Sequence, residues 1–148
     1  MSDKIIYTLG TSNRKQEEFI ELLKLYRIEA LIDVRRFPTS RWEHFKRENL
    51  QSFTEKENIK YFYLGKELGG YRKEGYEKYM QTDFFKKAIE KLEKIAIRMK
   101  STLVCAEKFP WRCHRRFIGY FLEERGWRVI HIIEKQKIWE RKTIHPLF

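Results

Sequence analysis

A chain of 148 residues suits one domain around one core, and 42% hydrophobic with 36% charged residues excludes a disordered composition. No apolar run reaches ~18 residues and no long signal-type core follows Met1, which argues against a membrane span and predicts a cytoplasmic protein. Lys and Arg total 32 against 21 acids, giving +11 and a pI near 9.7, so an anionic partner, nucleic acid first, competes with a solvated Lys/Glu-rich surface as the reason for the charge.

In chain order, "KIIYTLG" reads as a strand ending at Gly10. Residues from about 14 to 26 read as a helix with Phe19, Leu22, Leu23 and Tyr26 on one face, and Asn13 with Gln16 resembles a capping box. "EALIDVR" is a second apolar strand, and a polar stretch carries helix from about residue 43 to 56. "KYFYLG" is a third strand, followed by a long glycine-rich loop, "KELGGYRKEGYEKYMQT". The clearest helix runs over residues 83–99, with Phe85, Ala88, Ile89, Leu92, Ile95, Ala96 and Met99 on one stripe. "STLVCAE" is a fourth strand, residues from about 112 to 125 form a helix stopping at Gly126, and "WRVIHII" is a fifth strand. About 135–148 reads as a short C-terminal extension of a single domain spanning 1–148, with no linker and no internal repeat.

Alternating strands and helices predict a three-layer α/β/α, Rossmann-like fold with about five mostly parallel strands. The order 3-2-1-4-5 is expected, because it sets the first and fourth strands side by side at a switch point. All parallel strands then end on one rim. The four segments that follow them, "GTSNRK", "DVRRFPTSR", "GKELGGYRK" and "CAEKFPWRCHRR", are rich in cations and small polar residues, whereas opposite-rim connections such as "YRIE" and "RMKS" lack comparable motifs. A functional rim is expected there.

"CAEKFPWRCHRRF" holds both cysteines, which are too few for a disulfide framework and are expected to be reduced. Cys113, near a helix start among Arg112, Arg115 and Arg116, has the surroundings that favour a thiolate, although an inward-packed helix residue would read the same way. Cys105 reads as a small buried hydrophobe at a strand end. Adjacent Cys113 and His114 diverge by about 100° on a helix, and the spacing matches no zinc pattern, so no metal and no cofactor are assigned. Six residues between Cys105 and Arg112 make the loop one longer than the Cys-x5-Arg loop of phosphatases and sulfurtransferases. On the other segments, Thr11, Ser12 and Asn13 could hold a phosphate through turn amides. Asp33 is spaced to orient Arg35, which could grip a phosphate bidentately or simply form a structural pair. Gly69 and Gly70, with Tyr71 and Arg72, offer close backbone approach, an aromatic plate and a cation, or a plain glycine turn. His44 and His131 read as structural. Trp42, Trp111 and Trp127 lie near arginines and could stack bases or pack on the core.

The order "YTLGTSNR", "LIDVRRFPTSR", "YLGKELGG", "LVCAEKFPWRCHRRFI" and "RVIHI" resembles the domain-of-unknown-function family 488 over residues 5–133. The resemblance implies matching positions at Gly10, Ser12, Asp33, Arg35, Pro38, Ser40, Gly69, Gly70, Arg72, Cys105, Glu107, Pro110, Cys113, His114 and Arg115. It carries no activity.

The functional reading is an enzyme acting on a phosphate-bearing substrate, nucleic acid or nucleotide. Arg35, Arg72 and Arg115 would hold phosphate, Glu107 or His114 would move a proton, and Cys113 would be nucleophile or pocket wall. Two alternatives stand beside it: a nucleic-acid-binding module without chemistry, and a cysteine-dependent enzyme resembling a sulfurtransferase or phosphatase.

Overall fold

Apolar strands that face helices on both sides must be buried on both sides, and four of the five parallel strands obey this, the remaining one being a half-buried edge strand. In the computed structural model, which describes residues 4–141, β1 (Ile5–Gly10), β2 (Ala30–Asp33), β3 (Lys60–Tyr63), β4 (Ser101–Cys105) and β5 (Arg128–Glu134) are parallel, and β6 (Lys137–Trp139) runs antiparallel to β5. The helices are α1 (Gln16–Leu25), α2 (Arg47–Lys56), α3 (Gly65–Leu68), α4 (Tyr76–Tyr79), α5 (Asp83–Arg98) and α6 (Arg115–Glu124). Side chains alternate across a strand. Tyr7 and Leu9 of β1 join Phe19, Leu22 and Leu23 of α1 and Leu50 and Phe53 of α2 on one face. Ile6 and Leu103 meet Phe85, Ile89 and Leu92 of α5 and Ile118 and Leu122 of α6 on the other. None of these helices is long and apolar enough to cross a membrane among the described residues.

The sheet order is β3-β2-β4-β1-β5-β6, not 3-2-1-4-5. β1 and β4 are neighbours as expected, but β4, rather than β1, lies next to β2. Both strands are apolar and buried on both faces, so their composition does not say which of them faces β2. Right-handed crossovers then carry the chain after β1 and β2 to one face, and the chain after β3 and β4 to the other. β4 is thus flanked on both sides by strands whose chains depart oppositely, which opens a crevice at its carboxyl end.

Several local expectations are corrected. The helix expected from residue 43 is a 3₁₀ turn at Glu43–Phe45, an extended Lys46 and then α2. The long loop after β3 contains the short helices α3 and α4. Lys15, not Asn13, is the N-cap of α1, with no side-chain hydrogen bond, so no capping box forms. The helix expected from residue 112 is a 3₁₀ turn at Pro110–Arg112, an extended Cys113 and then α6 from Arg115. Beyond residue 134 the chain adds β6 to the sheet; residues 142–148 lie outside the described residues.

β1 and the chain leaving β4 approach too closely for a side chain. A Cβ on Gly10 would stand 1.9 Å from the Glu107 carbonyl oxygen, a backbone atom that cannot rotate aside. Gly10→Ala should therefore lower unfolding free energy in urea by about 1–3 kcal/mol, the range for overpacked sites. Wild-type stability in that variant would mean the two chains do not run so close.

Candidate active site

β4 delivers Cys105 to the rim with only 1% of its surface exposed. The chain then turns through residues 106–112, and the extended Cys113 brings its sulfur back to 2.9 Å from the Cys105 sulfur. Both cysteines are free thiols. Arg115, in the first turn of α6, is fully buried at 0% exposure. Its Nη1 donates to Cys105 Sγ at 3.1 Å and its Nη2 to the Lys108 carbonyl at 2.8 Å, while its Nε has no partner.

Among the described residues, no ion pair joins Arg115 to a carboxylate. An isolated buried guanidinium costs several kcal/mol unless an anion compensates it. Among the described residues, the only group touching the guanidinium that can become an anion is the Cys105 thiol. Burial pushes that thiol up, but the Cys113 hydrogen bond and the Arg115 charge outweigh burial and bring it down to about 7. Cys113, as donor to that thiolate and itself buried, is pushed well up and keeps its proton.

His114 completes the cluster. Its Nε2 lies 3.0 Å from the Val34 carbonyl, an acceptor, so Nε2 carries the proton. The Nδ1 lone pair then faces Cys113 Sγ at 3.6 Å. Burial pushes the ring down to about 4, against the Val34 bond and with help from the Arg115 charge, so the imidazole is neutral at pH 7. A Cβ on Gly70 would come within 3.2 Å of Nδ1, and one on Gly69 within 2.3 Å of the Arg36 Cβ, so both glycines stand close to protein atoms.

Above these groups lies a cleft of ≈ 690 Å³, in the size range of small-molecule sites (about 300–1,000 Å³). Its floor is Cys105, Cys113 and His114; its walls are Arg36, Phe37 and Thr39 after β2, Gly70 and Tyr71 after α3, and Glu107 and Arg112 after β4. Arg36 Nη1 braces the Tyr71 carbonyl at 2.6 Å. The Arg112 side chain makes no hydrogen bond or ion pair among the described residues. Glu107 is exposed and its side chain likewise lacks a polar partner there, although its carbonyl lies 3.7 Å from the Cys105 sulfur. Tyr71 is 85% exposed with φ 60°, a left-handed backbone that a tyrosine adopts only under strain.

Not every expected site residue reaches this cleft. The Thr11 and Ser12 amides donate to the Cys105 and Ala106 carbonyls at 2.8 Å each, which leaves neither free for a phosphate. Ser12 and Asn13 instead line an adjacent recess with Arg41, Trp42 and Arg112. Arg35 borders the cleft but is 4% exposed, and its guanidinium is already taken: its Nε and Nη2 grip Asp33 at 2.9 Å each and its Nη1 donates to the Phe45 carbonyl, so it is the structural member of a buried pair. Tyr61 also donates to Asp33, and burial followed by that carboxylate raises its phenol well above the ordinary value. Arg72 donates to the Gly69 and Lys66 carbonyls and stacks 3.9 Å from the Tyr79 ring centre, on a different recess. Arg115 faces sulfur, not solvent, and cannot meet a phosphate in the cleft. Residue-level reading missed Arg36 and Phe37 as cleft walls and Cys105 as the charged sulfur. Residues 108–117 hold four cations and no acid, but Glu107 lies in the same loop, so the sequence alone did not show that Arg115 would lack a carboxylate.

Residues 15–122 match the family described as Domain of unknown function DUF488. The chain belongs to this family. The DUF488 match encloses Asp33, Arg35, Gly69, Gly70, Cys105 and the Cys113–Arg115 run, and begins after Thr11, Ser12 and Asn13. No curated protein and no solved structure matches the chain.

Two outcomes follow. Alkylation of Cys105 by iodoacetamide, located by peptide mass, should rise with pH through a midpoint near 7 as the thiolate forms. Arg115→Met should move that midpoint upward beyond about 8.5, since burial remains and the counter-charge is gone. A midpoint unmoved by the substitution would deny the ion pair. Arg35→Leu leaves Asp33 buried without its partner, so chemical unfolding should report about 3–5 kcal/mol lost; a loss under about 1 kcal/mol would mean the carboxylate is hydrated there.

Proposed function

We propose that this protein is an enzyme in which the Cys105 thiolate attacks an electrophilic centre of an anionic, phosphate-bearing substrate seated in the rim cleft. One observation carries the reading: a fully buried guanidinium whose only counter-ion among the described residues is the Cys105 sulfur. A fold that needs only stability has no use for that arrangement, because an apolar residue of similar size would serve as well. Perturbed ionisable groups on a cleft floor are the usual mark of chemistry.

In this reading Cys105 is the nucleophile, and Cys113 S–H and Arg115 stabilise its charge. Arg112, unpaired at the wall, and Arg36, whose Nε and Nη2 meet no protein acceptor among the described residues, hold the anionic group. Glu107 at the lip and His114 Nδ1 are the groups able to move a proton. Two free thiols fit a reducing compartment, and a cytoplasmic location belongs to the same reading. A phosphatase-type mechanism is disfavoured. The Arg112 and Cys113 amides donate to the Phe109 and Pro110 carbonyls, so they cannot join a cradle around a phosphoryl group.

A second reading, nucleic-acid binding without catalysis, is favoured by the aromatics around the cleft and recess. Phe37, Trp42, Tyr71 and Trp111 are all exposed, Arg36 lies over Phe37 and Arg41 over Trp42. The +11 charge agrees with it.

A protection assay separates the two. Millimolar nucleoside monophosphates should slow alkylation of Cys105 at pH 7 by about tenfold, and Arg112→Gln should abolish most of that protection. No protection from any phosphate compound would remove the phosphate-bearing substrate. Binding of single-stranded oligonucleotide that survives Cys105→Ser, is lost in Tyr71→Ala and weakens with salt at about 0.7 log units per phosphate would favour the second reading.

A further inference from the structure

A nucleophilic thiolate needs one sulfur; this cleft holds two. The Cys105 and Cys113 sulfurs are 2.9 Å apart, against about 2.05 Å for a disulfide bond, so closure asks for a movement of roughly 0.9 Å. Cys113 sits on an extended residue between a 3₁₀ turn and α6, outside any regular helix that would resist so small a shift. Both sulfurs line the cleft floor, so a group bonded to one lies within reach of the other. The third member of the floor, His114, presents a bare Nδ1 to Cys113 and is fixed by Val34 through its other nitrogen.

We propose that the electrophilic centre is the sulfur of a small, negatively charged disulfide, and that Cys113 completes the reaction as a resolving thiol. This rests on the reading of Cys105 as the nucleophile and names what it attacks. The Cys105 thiolate attacks one sulfur of R–S–S–R, forming Cys105–S–S–R and expelling R–S⁻. With the Cys105 sulfur no longer an anion, the Cys113 proton loses its acceptor, and His114 Nδ1 at 3.6 Å is the nearest base. The Cys113 thiolate then attacks Cys105 Sγ, forming the Cys105–Cys113 disulfide and expelling a second R–S⁻, which takes the proton. The substrate gains two electrons and the protein dithiol loses two. An external thiol returns the protein to its starting state by the reverse exchange. Arg36 and Arg112 at the walls select anionic disulfides, and Phe37 and Tyr71, their ring centres 5.8 Å apart, accommodate a flat R group.

The probe is 5,5′-dithiobis(2-nitrobenzoic acid), an aromatic disulfide bearing two carboxylates, added in small excess to the reduced full-length protein at pH 7. The wild type should release two equivalents of coloured thiolate, carry no adduct, and yield one disulfide-linked pair of Cys105 and Cys113 peptides by mass. Cys113→Ser should release one equivalent and stay trapped as the mixed disulfide at Cys105. Cystamine, a cationic disulfide, should react at least about tenfold more slowly than the probe after each rate is divided by that of the same disulfide with 2-mercaptoethanol, which removes the advantage of the aromatic leaving group. Rapid iodoacetamide alkylation of Cys105 without a linked peptide pair, or with a separate adduct on each cysteine, overturns the exchange proposal and leaves Cys105 a nucleophile. Equal normalised rates with cystamine overturn selection for negative charge. A Cys105 inert to alkylating reagents and disulfides alike, in protein shown to be folded by a cooperative melt, sinks both readings. Peptide mapping is done on the wild type, so a Cys113→Ser chain that fails to fold does not spare the proposal.

Discussion

The buried contact between Arg115 and Cys105 governs the whole rim. A guanidinium cannot lose its proton in a protein, so its charge is permanent, and a permanent charge at 0% exposure must be answered by something nearby. The answer falls to sulfur, since no carboxylate pairs with Arg115 among the described residues. Once Cys105 carries the charge, the other protonation states follow. Cys113 keeps its hydrogen because it points that hydrogen at the thiolate, and His114 stays neutral chiefly because it is buried, with the Arg115 charge adding to the effect. Lys108 is drawn in through its carbonyl, which ties the loop between β4 and α6 to the same side chain.

The molecule contains an internal comparison. Arg35 is buried almost as deeply as Arg115, yet its donors are taken by Asp33 and the Phe45 carbonyl. A carboxylate is an anion at any ordinary pH, so the Asp33–Arg35 pair is static: it holds the end of β2 to the turn that precedes α2. A thiolate is different, being nucleophilic and consumed by bonding. Two arginines of equal burial therefore contribute differently, and the difference lies wholly in the atom each one touches.

That difference also explains what could be read before the fold was known. The strands, the amphipathic α5 and the shared rim were legible because apolar period and parallel direction are written locally, in "KIIYTLG" as much as in Phe85, Ile89 and Leu92. The place of β4 between β2 and β1 was not, since β1 and β4 are equally apolar. The cations of the rim were visible, but not what already occupied them, so Arg35 and Arg115 were expected to hold phosphate when one holds Asp33 and the other holds sulfur. Cys105 looked like a small apolar residue because it is one by burial; its charge comes from a residue ten positions on, across a turn whose 3₁₀ geometry has no periodic signature. Starting the last helix at residue 112 would have kept Cys113 in a regular helical turn, not in the extended link where it meets Cys105.

The central position of β4 has a consequence for how the chain matures. The Cys105 carbonyl accepts from Thr11 after β1, and His114 is held by Val34 after β2, so the walls of the sulfur pair come from strands far apart in sequence. Contacts of that separation form late, when the sheet is assembled on both sides of β4. Before then, Arg115 is hydrated and both sulfurs are ordinary protonated thiols, slow toward oxidants at neutral pH. The lowered Cys105 thiol thus arrives with the finished sheet, because the Arg115 contact that lowers it exists only there.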